Sequence, residues 1–264
     1  MAIGPRIGPR GLRVGLRIGS PAGDPMAGVS RDASSGVYAP ATAAEWQTAF
    51  AAAGISGGTP SNLWLLQEAS GDLADSVGDG TLTNASMSYQ QSVSGWTRKA
   101  MTSPDLDAPY MMFNATGSSM PDLSAESGLL LTYAGITAAP AADRCVLLLG
   151  GSNSRGIVTS GLAPKMNNGT NTATGAANVG TAVRPWVLRH NVTASTSSVF
   201  TNQEKVAPTF AASAGGKKVF FNGAVETAAG AQFLYAACFK GSSAELSDAQ
   251  LRTLLQRLGW SVAW

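Results

Sequence analysis

The sequence predicts a mostly β protein, a two-sheet antiparallel sandwich with an extended N-terminal arm and two short helices. Short apolar runs recur from about residue 63 onward, and clusters of Gly, Asn, Ser and Asp separate them. Many short strands with frequent turns are typical of a sandwich or jelly roll. The chain divides into a basic extended arm (1–22), a linker with a short helix (23–58) and a sandwich with a C-terminal helix (59–264).

The arm combines basic and apolar residues. Four arginines precede the first acidic residue, Asp24, and without them the formal net charge of +2 becomes −2. Apolar residues alternate with Arg or Gly over residues 12–19, the period of a strand, and such a strand needs a sheet edge to join. That edge belongs either to another subunit or to the same domain. The residues expected to contact a partner are Arg6, Arg10, Leu12, Arg13, Val14, Leu16, Arg17 and Ile18. Because the basic charge is confined to the arm, nucleic acid is not the expected partner.

Residues 23–58 begin with a segment rich in Ser, Pro, Gly and Asp, which predicts a linker. Thr42 and Glu45 then form a T-x-x-E capping box, and Trp46 and Phe50 share one helical face. Gly54 is a typical residue for the end of this helix.

The candidate strands are short apolar runs bounded by turn residues. The first lies near Leu63, and the others are expected near residues 81–85, 87–91, 110–114, 128–136, 145–150, 156–160, 185–191, 198–201, 217–222 and 232–240.

A second helix closes the chain. Ser247 and Gln250 form an S-x-x-Q capping box, and Leu246 and Leu251 occupy the positions of a hydrophobic staple. Gly259 is expected to end the helix. The apolar stripe that should pack on the body consists of Leu251, Leu254, Leu255 and Leu258.

The cysteine content and the lack of long apolar segments indicate the compartment in which the protein assembles. Cys145 and Cys238 each lie in an apolar run, which favours buried thiols and leaves a disulfide as the alternative. One histidine and no C-x-x-C pair argue against a zinc site. No apolar stretch approaches the about 18 residues of a membrane helix, and residues 1–20 lack the apolar core of a secretory signal. We therefore expect assembly in the cytoplasm, without a membrane.

Three segments together resemble a laminin-G-like, concanavalin A-like domain. They are LWLLQEASGDLADSVGDGTLT (63–83), KKVFFNGAVET (217–227) and FLYAACFKGSSAELSDAQLRTLLQRLGW (233–260). The first is similar to the family's opening strand and acidic-Gly loop. The second is similar to its hairpin, with Asn222 and Gly223 at the turn, and the third to its last strand and closing helix. The resemblance covers residues 60–260 and implies a jelly roll of two curved antiparallel sheets.

The front of the chain carries a second resemblance. The segment RDASSGVYAPATAAEWQTAFAAAGI (31–55), between a basic arm and the sandwich, resembles the front ends of structural proteins of tailed bacteriophages. Proteins of that class with such folds decorate capsids or form tail and fibre parts, and they hold partners through extended arms. The resemblance implies a role in the virion.

The sequence offers little for catalysis. The E-x-D-x-x-E pattern of concanavalin A-like glucanases is absent, and Glu68, Asp72 and Asp75 are separated by turn residues. His190 lies in an alternating segment, which predicts a polar-face residue of a strand. These observations predict a protein that is not an enzyme.

Two kinds of ligand remain to be considered. Laminin-G-like domains often bind calcium through oxygen ligands, and Asp75 and Asp79 are weak candidates, with turn stabilisation as the favoured alternative. Glycan binding needs an exposed aromatic surface. The candidates for it are Trp96, Tyr110 and Trp186, each with burial in the core as the alternative.

The resemblances thus imply a virion structural protein, and among such proteins a capsid decoration or cement protein is the main expectation, assembled in the host cytoplasm. Its arm would dock on the major capsid protein or another virion protein, and we expect a homo-oligomer. The alternative function is a carbohydrate-binding module of a tail fibre or adhesin.

Overall fold

The apolar runs form two antiparallel sheets in the computed structural model, which describes residues 23–85, 87–103, 110–114, 119–150, 154–211, 217–223 and 231–264. For residues 110–114, 220, 222 and 223 it describes the backbone. In chain order the described strands are β1 (Asn62–Trp64), β2 (Thr83–Asn84), β3 (Ser88–Gln91), β4 (Ala100–Thr102), β5 (Tyr110–Asn114), β6 (Gly128–Ile136), β7 (Arg144–Leu149), β8 (Ser154–Val158), β9 (Pro164–Asn167), β10 (Thr172–Thr174), β11 (Arg184–Asn191), β12 (Thr196–Phe200), β13 (Lys205–Val206), β14 (Val219–Gly223) and β15 (Ala231–Lys240).

Eight strands form one sheet, here called the helix-side sheet, and seven form the opposing sheet. The helix-side sheet has the order β13-β12-β11-β6-β15-β4-β3, with β1 also paired to β15. The opposing sheet has the order β10-β9-β8-β7-β14-β5-β2. Every described strand pair is antiparallel. The predicted mostly β, two-sheet antiparallel sandwich is therefore confirmed.

The helix-side sheet is covered on both faces, which makes three layers. Along β6, Leu129, Leu131 and Tyr133 pack toward the helices, whereas Leu130 and Ala134 pack toward the opposing sheet. All residues of β6 are buried. Burial on both faces explains why this strand reads as a continuous apolar run rather than as an alternation.

Both predicted helices are confirmed, as α1 (Ala43–Ala52) and α2 (Asp248–Arg257). The capping box of α2 is complete, with Ser247 and Gln250 bonding each other's backbone N–H. In α1, the Thr42 hydroxyl accepts from the Glu45 N–H as predicted. The Glu45 carboxylate, however, accepts from the N–H groups of Ser30 and Ala41, so this capping box is only half formed.

Asp248, the first residue of α2, anchors that helix to the helix-side sheet. It accepts a hydrogen bond from Arg189 Nη2 at 2.8 Å and another from Lys205. The Arg189 side chain is buried, 3% exposed, and its Nη1 also donates to the Leu246 carbonyl. Burial acts to raise the pKa of Asp248, but the hydrogen bonds from Lys205 and Arg189 outweigh it and hold the pKa below its ordinary value of 3.8.

Residues 23–40, here called the strap, lie against the helix-bearing face of the helix-side sheet. The buried Asp32 holds the strap in place, because its carboxylate accepts hydrogen bonds from Ser35 within the strap and from the N–H groups of Thr97 and Arg98. Burial acts to raise the pKa of Asp32, yet these hydrogen bonds lower it below 3.8 overall. The strap residues that join the apolar cluster under the helices are Met26, Val29, Val37 and Ala39. The boundaries of the three predicted regions stay predictions.

Several local expectations need correction. The strands β4, β9, β10 and β13 have two to four residues each, too few to stand out as apolar runs, and the sequence prediction missed them. Asn222 and Gly223 do not form the expected turn: they continue β14, and Gly223 pairs with Tyr110. Cys145 and Cys238 are both buried as thiols and are not joined in a disulfide. Within the described residues, neither helix is long and apolar enough to span a membrane.

Candidate functional site

The structure separates the three aromatic residues predicted to bind a ligand. Trp186 is fully buried between the two sheets, so the proposal of a surface role is wrong for it and the core alternative holds. The backbone of Tyr110 lies in β5, and its side chain is outside the described part of the structure. Trp96 is half-buried at the surface and lines a pocket.

A tight turn between β3 and β4 presents Trp96. The Trp96 N–H donates to the carbonyl of Val93 at 3.1 Å, which closes a four-residue turn. Gly95, the third residue, has φ +78°, the value that a type II turn requires and that glycine adopts without strain. The turn fixes the backbone from which the indole projects.

The pocket beside Trp96 is here called the tryptophan pocket. Its volume is about 350 Å³, and its lining residues are Val93, Ser94, Trp96, Thr181, Ala182, Val183 and Gln232. The side chains of Ser94, Thr181 and Gln232 make no hydrogen bond to any described part of the chain. Two hydroxyls and one amide can therefore both donate to and accept from a ligand.

An aromatic cluster supports the Trp96 ring from behind. The centroid of the Trp96 ring lies 6.1 Å from that of Tyr133 and 6.0 Å from that of Trp260. Tyr133 is fully buried, and its hydroxyl donates to the Tyr38 carbonyl at 2.6 Å. Burial raises the pKa of Tyr133 well above 10.0, so the phenol stays protonated and remains a donor. Packing on rigid neighbours limits the motion of Trp96 before any ligand binds.

Gly135 of β6 lets two walls of the tryptophan pocket approach each other. A Cβ atom at this position would lie 3.1 Å from the Thr181 carbonyl oxygen and 3.3 Å from Gln232 Cγ. Both contacts are tighter than side chains usually make, so a larger residue would push the walls apart.

The two predicted calcium ligands are engaged in local hydrogen bonds. Asp75 accepts from the N–H groups of Leu63, Val77, Gly78 and Gly80 and from the Asn62 amide. The carboxylate of Asp79, on the same loop, accepts from the backbone and hydroxyl of Ser119. Over the residues that the structure describes, no group of three His, Cys, Asp or Glu could hold a metal ion. Calcium binding stays an untested prediction.

His190 differs from the expected polar-face residue. It is 1% exposed and lies inside the sandwich, where its ring stacks on Phe210 and Nδ1 lies 2.8 Å from the Ser197 hydroxyl oxygen. Burial lowers the pKa of His190 below 6.5, which favours the neutral ring. The expectation of a solvent-facing position on the polar side of a strand is therefore wrong for His190.

The arm residues predicted to contact a partner, from Arg6 to Ile18, lie outside the described residues. The predicted docking on a virion protein depends on them and stays a prediction.

No protein-family model matches the chain, and no curated protein matches it. Solved structures do share its fold. Trypanosoma rangeli sialidase in complex with sialic acid superimposes with a TM-score of 0.58 at 10% identity, over 83% of this chain and 38% of the sialidase chain. A mutant of that sialidase displaying trans-sialidase activity gives 0.51 at 11% identity, over 78% and 35%. The binding domain of botulinum neurotoxin DC in complex with rat synaptotagmin II gives 0.51 at 9% identity, over 75% and 52%.

These likenesses confirm a β-sandwich and extend no further than the fold. The chain spans well under half the length of the sialidases and about half of the toxin chain that it matches. The prediction that the protein is not an enzyme is contradicted, because the solved structures that share its fold include sialidases, which are enzymes. The missing carboxylate pattern of one glucanase family was too narrow a basis for that exclusion. The laminin-G-like and phage resemblances stay predictions.

Sequence reasoning identified Trp96 and missed the polar residues around it. A signal for Ser94 was present in the sequence, because the Ser-Gly pair that precedes Trp96 is typical of a turn. Thr181 and Gln232 come from segments far apart in the chain, and nothing in either segment indicates that they meet.

Proposed function

We propose that the protein binds carbohydrate and that Trp96 is the surface on which a sugar ring stacks. One observation carries the proposal: a half-buried indole lines a pocket of about 350 Å³ beside Ser94, Thr181 and Gln232, whose side chains have no hydrogen-bond partner in the described chain.

The physical chemistry of sugars fits this combination. A pyranose ring has an apolar C–H face, which loses little when it leaves water for the face of an indole. Its hydroxyls need partners at the ring edge, because a buried polar group without one weakens binding. Hydroxyl and amide side chains supply donors and acceptors together. The pocket lies at the small end of the about 300–1,000 Å³ range of ligand sites.

The comparisons support the proposal through the fold alone. The sialidase structure is in complex with sialic acid, and its fold covers most of this chain. Of the two functions predicted from the sequence, we propose carbohydrate binding because the tryptophan pocket places an indole beside polar side chains, a combination that suits a sugar ring. The setting of the module in a tail fibre or adhesin remains part of the proposal.

The test is a broad glycan array probed with the full chain, followed by calorimetric titration of each glycan that binds. Trp96→Ala should weaken binding by about 5- to 150-fold, if a sugar ring gains about the 1–3 kcal/mol that a nucleic-acid base gains from stacking on an aromatic ring. Trp96→Phe should retain part of the affinity. Gln232→Ala should weaken it about tenfold through the loss of one or two hydrogen bonds.

Trp264→Ala is the matched control. Trp264 is also half-buried, packs against Phe200 with ring centroids 4.9 Å apart, and does not line the tryptophan pocket. Its replacement should leave binding within about twofold. The proposal would be contradicted if the wild-type chain bound no glycan on the array, or if Trp96→Ala and Trp264→Ala lost equal affinity.

A further inference from the structure

A second pocket lies beside residues 97 and 98, just after Trp96 in the chain. Its volume is about 350 Å³, and its lining includes Arg31 from the strap, Arg98 from the loop before β4 and Gln67 from the segment after β1. Two guanidinium groups thus border one small pocket, here called the arginine pocket.

Arg98 has only weak contacts for its guanidinium group. Its terminal nitrogens lie 3.4 Å from the Leu65 carbonyl oxygen and 3.5 Å from that of Ala39, longer than the about 2.7–3.2 Å of a good hydrogen bond. Its central carbon lies 5.6 Å from the ring centroid of Tyr235. Over the described chain no carboxylate forms an ion pair with Arg98. The group therefore keeps strong donors for another acceptor.

Arg31 supplies the second positive charge. Its Nε donates to the Gly36 carbonyl at 2.6 Å, and its guanidinium lies 5.3 Å from the Tyr38 ring centroid. These two contacts orient the exposed side chain. Its terminal nitrogens make no hydrogen bond to a described residue, so they too can donate to a ligand.

Asp32 also lines the arginine pocket, and its carboxylate forms no ion pair with the guanidinium group of Arg31 or Arg98 in the described chain. Its two oxygens already accept from the N–H groups of Ser34, Ser35, Thr97 and Arg98. The lining has a net positive charge, because it contains two arginines and one carboxylate. That carboxylate is already bonded to backbone donors. Such a lining attracts an anion.

The wall of the arginine pocket is held in a strained conformation. Leu66 has φ +57°, a left-handed value that leucine rarely adopts. The Gln67 amide donates to the carbonyls of Leu65, Leu66 and Lys99 at 2.8–3.2 Å and so fixes this segment. A wall fixed before binding lowers the entropy lost when a ligand binds.

We propose that the arginine pocket binds the carboxylate of an acidic sugar, an inference that rests on the proposed carbohydrate binding. A planar guanidinium offers two parallel N–H donors that match the two oxygens of a carboxylate. Trp96 and Arg98 are separated by one residue, and both pack on tyrosines of the helix-bearing face, Tyr133 and Tyr235. The rings of these two tyrosines lie with their centroids 5.2 Å apart, and a glycan that spans from the tryptophan pocket to Arg98 is part of the proposal.

The experiment compares carboxylated glycans with their methyl esters on the same array, since the ester keeps the shape of the sugar and removes its charge. The full chain should prefer the free carboxylates by about tenfold or more, and Arg98→Gln should abolish that preference. Arg98→Lys should restore part of it, because lysine keeps the charge and lacks the planar fork. Arg31→Gln should also reduce the preference for free carboxylates. Because Arg31 is exposed, we expect this variant to fold like the parent. Arg252→Gln, an exposed arginine of α2, is the control.

The outcomes separate this inference from the proposed function. Binding that depends on Trp96 and is equal for acids and esters would overturn the acidic-sugar inference and leave carbohydrate binding intact. A preference for acids that survives both Arg98→Gln and Arg31→Gln would overturn the assignment to this pocket. Stronger binding of sulfated than of carboxylated glycans would overturn the choice of carboxylate. Absence of any glycan binding would overturn both proposals.

Discussion

Replacing Asp32 by alanine should lower the free energy of unfolding by about 3–5 kcal/mol. Asp32 is 3% exposed, and its carboxylate accepts from four backbone N–H groups, those of Ser34, Ser35, Thr97 and Arg98. Ser34 and Thr97 are exposed, so water can replace the carboxylate at their N–H groups. Ser35 and Arg98 are half-buried, and each should contribute about 1.5–2.5 kcal/mol as a charge-assisted hydrogen bond. The loss is a large part of the about 5–15 kcal/mol that stabilises a typical domain.

Urea unfolding of the full chain, followed by tryptophan fluorescence, measures this change. Asp72→Ala is the matched control, because Asp72 is exposed and has no hydrogen bond to a described residue. It should change the free energy of unfolding by less than about 0.5 kcal/mol. Limited proteolysis should cut the strap of Asp32→Ala faster than that of the parent. A loss below about 1 kcal/mol for Asp32→Ala, with an intact strap, would refute the argument.

Three further predictions concern stability and reactivity. Ser247→Ala removes the acceptor side chain of the α2 capping box and should destabilise the protein by about 1 kcal/mol in the same urea assay. Burial raises the pKa of Cys238 to about 12, so neither this thiol nor the buried Cys145 should react with Ellman's reagent at pH 8 until the protein unfolds. The carboxyls of Asp32 and Asp248 have pKa values below 3.8 in the folded state, so the stability they contribute is present above about pH 4 and is lost as pH falls through the folded pKa. The thermal midpoint should therefore drop on acidification, and Asp248→Asn should show a smaller drop.

The sequence predicted the elements that depend on local patterns. Gly128–Ile136 was expected with its observed bounds, because a long apolar run between turn residues has few alternatives to a buried strand. The start of α2 was equally clear, since Ser247 and Gln250 are close in the chain and bond each other. Glu45 shows the limit of the same pattern. Its carboxylate bonds Ser30, fifteen residues away, and no capping rule includes that competing donor.

The candidate site could be predicted only in part, because burial depends on what covers a residue. Trp96 and Trp186 are the same residue type, and residue type alone does not distinguish a surface tryptophan from a core one. Trp186 lies in a strand of the helix-side sheet and is covered by the opposing sheet, whereas Trp96 lies in a turn and keeps one side open to the tryptophan pocket. The partners of the pocket come from residues near 94, 181 and 232, and only tertiary structure brings them together.

Asp32 links the stability of the strap to the geometry of the arginine pocket. Its carboxylate fixes the backbone of Arg98 from one side, and Arg31, its neighbour in the strap, supplies the other guanidinium. If the strap detaches, the pocket loses Arg31 and the restraint on Arg98 at once. The strap also contacts the support of the tryptophan pocket, because Asp32 accepts from the Thr97 N–H and Tyr38 accepts from Tyr133. No strap residue lines that pocket, however, and Trp96 is also held by its own turn and by Trp260. Asp32→Ala should therefore weaken binding of a carboxylated glycan about tenfold and that of its methyl ester much less. Equal weakening of both by Asp32→Ala would mean that the strap positions Trp96 as well, and that the two pockets act as a single site.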